Sequence, residues 1–268
     1  MVSKVNFIVI GAARSATTSI CNIIADHPEV CFSEPKEPQF FSDKDWRHKL
    51  NTYHKLYKTN KAKLYGEGST NYSKYPSYNK NIHSDIYEYN SNMKIIYIMR
   101  NPIDRIISHY QFALERGYTS DKIDKEVLSK EIYINTSSYY GQIKPYIDTF
   151  GFKNVHLIFF NDYKTNPKST LDALFNFLEI DVLNPNKKSL HTNKSGKGSI
   201  NHKKFDNPNS ISDYIKKILH SLVRKLRLKK TPKPSINKAT RLKILNLLEN
   251  DISKLEDLTQ RDLSAWRK

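Results

Sequence analysis

Two periodicities alternate along the chain. Continuous apolar runs stand at Val5-Asn6-Phe7-Ile8-Val9-Ile10, Lys94-Ile95-Ile96-Tyr97-Ile98-Met99 and Val155-His156-Leu157-Ile158-Phe159-Phe160, with shorter ones at 29–32 and 63–67. Runs of this kind predict strands buried on both faces, as in a parallel sheet. Helical patterns separate them at 18–26, where Ile20, Ile23 and Ile24 share a side, and at 84–90, 103–116, 138–150 and 167–180. Residues 46–63 read as a polar, exposed helix. Strands alternating with helices predict a three-layer α/β fold, P-loop-like, with a mainly parallel central sheet flanked by helices. Toward the end, 183–207 is a loop region of Gly, Ser, Lys and Asn. Two amphipathic helices follow, 211–228 and 239–258, joined by Thr231-Pro232-Lys233-Pro234.

Composition bounds this picture. At 268 residues the chain suits one domain, 1–268, with a basic helical portion from about 208 onward. No stretch approaches the ~18–20 apolar residues of a membrane span, and no charged-then-apolar leader precedes the first strand. The expectation is a cytoplasmic protein, at most peripheral to a membrane. Cys21 and Cys31 are too few for a disulfide framework and read as reduced core residues. Net charge is +17, and between Tyr214 and Leu248 there are 11 Lys or Arg and no acid. That block fits either contact with an anionic surface through 214–248 or a solvated helix face. No nucleic-acid module stands beside it, so no nucleic-acid partner is expected.

The chemistry collects at strand ends. After the first strand, Gly11-Ala12-Ala13-Arg14-Ser15-Ala16-Thr17-Thr18 mimics a P-loop, with Ala16 for its second glycine and Thr17 for its lysine. Free N–H groups at the helix start, two hydroxyls and Arg14 make an anion cradle; an ordinary strand–helix turn fits the same residues. Past the second strand, prolines stiffen Glu34-Pro35-Lys36-Glu37-Pro38 and display Glu37 at the sheet's carboxyl edge, where α/β folds bind ligands. Arg100 ends the 94–99 strand. Arg105, Ser108 and Phe112 share one face of the next helix, so Arg100 and Ser108 can meet around one small anion. Arg105 either joins them or pairs with Asp104. His27, His109 and His156 have no metal spacing, and no carboxylate cluster suggests Mg²⁺.

These stretches resemble the sulfotransferases that use 3′-phosphoadenosine 5′-phosphosulfate (PAPS). The loop 11–18 is similar to that family's 5′-phosphosulfate loop. Lys36-Glu37-Pro38-Gln39-Phe40-Phe41 is similar to the acceptor-side motif of the carbohydrate-sulfating branch, and Arg100-Asn101-Pro102-Ile103-Asp104-Arg105-Ile106-Ile107-Ser108 to the 3′-phosphate site. Residues 251–266 look like its closing helix. The resemblance implies that Arg14, Ser15, Ala16, Thr17 and Thr18 hold the 5′ end of PAPS, and that Arg100 and Ser108 hold its 3′-phosphate. It implies that Ser195, Gly196, Lys197 and Gly198 form a late loop over the nucleotide. Glu37 would be the general base, and Lys36 would pair with it or touch the sulfonyl oxygens. The acceptor implied is a hydroxyl, of a carbohydrate or glycoconjugate. Arg14 stands where much of the family has a catalytic lysine, and a guanidinium stabilises charge without readily releasing a proton. Gly68, in Glu67-Gly68-Ser69-Thr70-Asn71-Tyr72, stands where some relatives have another lysine. The rival readings are a P-loop nucleotide kinase and a non-catalytic polyanion- or membrane-binding protein on the same scaffold. The missing loop lysine and the Arg100/Ser108 pair argue against the kinase.

Overall fold

Period-2 alternation in β1 (Phe7–Gly11) sends Phe7 and Val9 to one face of the sheet and Ile8 and Ile10 to the other. In β4 (Lys94–Met99), Ile96 and Ile98 join the first face while Ile95, Tyr97 and Met99 join the second. Both faces are therefore covered, as the apolar runs require. The computed structural model describes residues 4–59, 61–182 and 234–268. Among these, β2 (Val30–Phe32), β3 (Leu64–Gly68) and β5 (Val155–Phe159) complete a five-stranded sheet of order β2-β3-β1-β4-β5, with every pairing parallel. Phe7 lies opposite Gly66, and a Cβ there would sit 2.0 Å from the Phe7 ring, so only glycine lets the ring cross the neighbouring strand.

On the Phe7 face pack α1 (Thr17–Ala25), whose Ile20, Ile23 and Ile24 are buried, and later α8 (Phe160–Thr165) and α9 (Pro167–Leu178). The other face carries α2 (Leu50–His54), α3 (Ile82–Tyr89), α4 (Pro102–Arg116), α5 (Ile123–Ser129), α6 (Ile132–Asn135), α7 (Tyr139–Phe150) and α10 (Lys238–Thr259). The three-layer α/β architecture is as the alternation predicts. Strand positions agree to within two residues, and α4 begins with Pro102 at its first turn, capped by Asn101. Because α1 and α4 cover opposite faces while β1 and β4 are neighbours, the loops leaving these strands open a crevice at their carboxyl ends.

One expectation fails. Residues 46–63 are not an exposed helix: a 3₁₀ turn (Trp46–Lys49) leads into α2, and Trp46, Tyr53 and Tyr57 are buried. Aromatic packing overrides the polar composition, with Phe40 stacked on Tyr53 at 4.1 Å between ring centroids and Trp46 edge-on to Phe41 at 5.2 Å. Cys21 and Cys31 are free and buried, as expected. No helix among the described residues is long and apolar enough to cross a membrane. Ser195, Gly196, Lys197, Gly198, the 211–228 helix and residues 214–233 of the basic block lie outside the described residues.

Candidate active site

Backbone strain marks the site. Among the described residues six non-glycine ones have positive φ; Glu179 and Gln260 are helix C-caps, and the other four are Arg14, Ala16, Glu37 and Gln39. Those four belong to two loops at the same edge of the sheet, following β1 and β2. Left-handed residues within a turn can aim successive N–H groups into one concavity, the geometry of an anion nest. Ala16 caps α1 with φ 66 and ψ 17, and it offers no side-chain hydrogen bond to the first turn. The helix start is thus left open to an external acceptor. Ser15 and Thr17 are buried in the loop wall, while Thr18 is half-buried. A Cβ in this conformation costs about 1 kcal/mol. Ala16→Gly is therefore expected to raise stability by about 0.5–1 kcal/mol, read as a higher urea midpoint at unchanged slope.

Arginines gather across the crevice. Arg14 reaches from the β1 loop to α4, where its Nε donates to Ser108 Oγ at 3.2 Å and its guanidinium lies 5.0 Å over the Phe112 ring. Arg116 lies on the same ring at 5.2 Å. Desolvation holds the Arg14 pKa below its ordinary value; Glu115 opposes this, and Arg100 and Arg116 add to it by repulsion. Arg100, at the end of β4, contacts the Phe160 ring at 5.1 Å and pairs weakly with Asp104 at 3.5 Å. Its buried Nε has no hydrogen-bond partner among the described residues. An orphaned guanidinium nitrogen beside like charges is a site that an anion would complete. These residues fit a phosphate group.

Glu37 is held from three sides. Its N–H donates to the Gly68 carbonyl at 3.0 Å, Lys36 Nζ donates to Oε1 at 2.6 Å, and the Thr70 N–H donates to Oε2 at 2.8 Å. Its side chain remains 25% exposed, so a ligand can reach it. Burial pushes the Lys36 ammonium down, but Cys21, Glu37 and Glu67 outweigh that and hold its pKa above the ordinary value. At Gly68 a Cβ would meet Cys21 Sγ at 2.6 Å and Lys36 Cε at 3.6 Å. The Cys21 sulfur therefore occupies the space in which a side chain at position 68 would start, with the stem of Lys36 in ordinary contact beside it.

Arg105 belongs to neither proposed partner. It is fully buried, donating to Ser137 Oγ (2.7 Å), the Tyr133 carbonyl (2.8 Å) and His109 Nδ1 (3.3 Å), and it is Arg100 that meets Asp104. The i, i+4 spacing of α4 turned it inward, where it braces the α4–α6 packing. Beside it, burial and then Arg105, Lys74 and Arg14 push His109 down to about 3, so its ring is neutral and accepts from Arg105. Tyr139 is core, its hydroxyl donating to the Arg100 carbonyl at 2.7 Å, while Tyr140 is half-buried with Lys254 5.8 Å from its ring.

Sequence reasoning missed Thr70, Lys74 and Glu67. Lys74 is half-buried with its amine 5.4 Å from the Tyr78 ring; burial pushes it down and Glu37 opposes. Glu67 is a carboxylate in a buried strand, a visible oddity of the pattern. Burial raises it to about 7, against hydrogen bonds from Ser69, Tyr53 and Tyr72 and with Glu37 adding to the rise. No group of three or more His, Cys, Asp or Glu able to hold a metal occurs among the described residues.

A family model described as "Sulfotransferase domain" matches residues 4–227. Among solved structures, a sulfotransferase from Alicyclobacillus acidocaldarius superposes with a TM-score of 0.72 at 22% identity, over 100% of both chains. At that identity the likeness speaks for the fold alone. The membrane-associated sulfotransferase kil1 of Dictyostelium discoideum is 27% identical over 114 residues, which is 41% of this chain and 23% of that protein. Heparan sulfate glucosamine 3-O-sulfotransferase 5 of Mus musculus is 24% identical over 187 residues, 65% of this chain and 53% of that protein. The alignments thus span less than two thirds of either relative's length.

Proposed function

The chain belongs to the sulfotransferase family, and from that premise we propose that it moves a sulfonyl group from PAPS to a carbohydrate hydroxyl, with Glu37 as general base. The observation that carries this reading is the Glu37 carboxylate, pinned on a strained loop at the sheet edge that also bears the anion cradle. In the proposed reaction an oxygen of the acceptor forms a bond to sulfur as the bridging bond to the 5′-phosphate breaks. The acceptor proton passes to Glu37, and 3′,5′-adenosine bisphosphate leaves. Arg14, Thr17, Thr18 and the N–H groups of the β1 loop would hold the 5′ end, and Arg100 and Ser108 the 3′-phosphate. The bond from Arg14 to Ser108 supports a reading in which Arg14 bridges the two phosphate positions. Lys36, a protonated ammonium beside Glu37, would stabilise charge on the sulfonyl oxygens. The carbohydrate acceptor draws support from the heparan sulfate enzyme among the relatives.

Calorimetric titration with 3′,5′-adenosine bisphosphate and with ATP, each with and without Mg²⁺, tests the donor. Preference for the bisphosphate without need of metal supports the reading; preference for ATP with Mg²⁺ overturns it. In the same assay Arg100→Ala is expected to weaken bisphosphate binding about tenfold, the loss of one charge-assisted contact. Unchanged affinity would remove Arg100 from the 3′-phosphate site.

A further inference from the structure

Behind the loop that carries Glu37 lies a carboxyl that the proposed reaction does not use. Glu67 has no solvent exposure, yet both its oxygens are engaged. The hydroxyls of Tyr53 and Tyr72 donate to Oε1 at 2.8 and 3.0 Å, and that of Ser69 donates to Oε2 at 2.6 Å. Ser69 thereby commits its only hydrogen to Glu67. Its oxygen is left as an acceptor, and it takes the Gln39 N–H at 3.0 Å. The residues on either side of Ser69 hold the same loop, since the Gly68 carbonyl accepts the Glu37 N–H and the Thr70 N–H donates to the Glu37 carboxylate. Residues 68–70 thus clamp 37–39 at successive points, and Glu67 orients the middle one.

We propose that Glu67 is a positioning residue: through Ser69 it fixes the left-handed loop at Gln39, and with it the direction in which Glu37 presents its carboxylate. This rests on Glu37 being the base of the reaction proposed above. The titratable groups facing Glu67 are Tyr53 and Tyr57 around α2, Tyr72 after β3 and Tyr89 on α3. Cys21 on α1 and the Lys36–Glu37 pair complete the set, and Lys36 is the one cation among them. With burial raising it to about 7, Glu67 changes protonation near neutrality. Oε1 already accepts two hydroxyls, so an added proton belongs on Oε2, aimed at Ser69. The Ser69 hydrogen must then turn away, and the one-directional relay from Gln39 is reset.

The test follows the ¹H–¹⁵N resonances of Gln39 and Thr70 in the full chain from pH about 5 to 9, a window that brackets the midpoint. It compares wild type with Glu67→Gln and Ser69→Ala, and adds turnover of PAPS with water as the acceptor. In wild type the Gln39 amide is expected to follow a titration centred near neutrality, shared by the turnover rate. Glu67→Gln abolishes both inflections, and in Ser69→Ala the Gln39 amide no longer responds. Turnover falls about tenfold in each variant at unchanged KM for PAPS, as a small misplacement of a base requires. A Gln39 amide that is flat in wild type, or that still titrates in Glu67→Gln, overturns the proposal, and so do wild-type rates in both variants. Should Glu67→Gln not fold, wild type and Ser69→Ala decide the matter between them. If wild type neither binds the bisphosphate nor consumes PAPS, the donor assignment fails, while the amide titration still decides whether the clamp exists.

Discussion

Glu37→Gln is expected to lower sulfonyl transfer by roughly 10²–10⁴-fold, the usual contribution of a general base, while bisphosphate affinity changes by less than about twofold. The substitution keeps the side chain's size and the loop's backbone bond to Gly68. What it removes is the capacity to accept a proton from the acceptor hydroxyl. It also removes one of two acceptor oxygens, so either Lys36 or the Thr70 N–H loses its partner. That side effect costs about 1 kcal/mol of stability, too little to unfold a domain. Single-turnover rates with radiolabelled PAPS, beside calorimetry of the bisphosphate, separate the two effects. A variant that transfers within about threefold of wild type would take the base role away from Glu37.

The second large effect concerns stability against pH. Burial raises Glu67 to about 7, above the ordinary 4.5 it has in an unfolded chain. Between these values the folded state holds a proton that the unfolded state has released, so stability falls as pH rises through that window and levels off above it. The span amounts to about 3 kcal/mol at 1.36 kcal/mol per unit. His109 and His156 act in the opposite sense, since burial pushes them to about 3 and about 4 and their contribution is lost as pH falls below the ordinary histidine value. The clean measurement is therefore a difference. The unfolding free energy of Glu67→Gln minus that of wild type should rise by about 2.5 kcal/mol from pH 5 to pH 8, in favour of the variant. A difference that stays flat with pH would mean that Glu67 is ionised throughout.

Legibility varied with the range of the interactions. Strand runs and the helices beginning at Thr17, Pro102 and Pro167 follow from local periodicity and local stereochemistry, and the structure places them where the pattern does. Glu37 and Arg100 were visible as candidates because strand ends and stiffened loops place side chains at the edge where such folds bind ligands. Arg105 and the aromatic stretch at 46–57 were misjudged for the same reason. Composition reports the average exposure of a segment, whereas burial depends on what folds against it. Tyr53 needed Phe40, and Arg105 needed Ser137 and Tyr133.

The sequence by itself determined the order of strands and helices, the P-loop-like spacing of the first loop and the family to which these motifs belong. All three are written in neighbouring residues, whose sterics and hydrogen-bonding capacity act within a few positions. The tertiary structure decided which groups meet. It set Arg14 on Ser108, 94 positions away, Glu37 on Thr70, 33 away, and Glu67 against Tyr53 and behind the loop that carries Glu37. Such encounters depend on the strand order β2-β3-β1-β4-β5, which brings β3 and β4 to either side of β1, and on burial that shifts proton affinity only once water has been excluded.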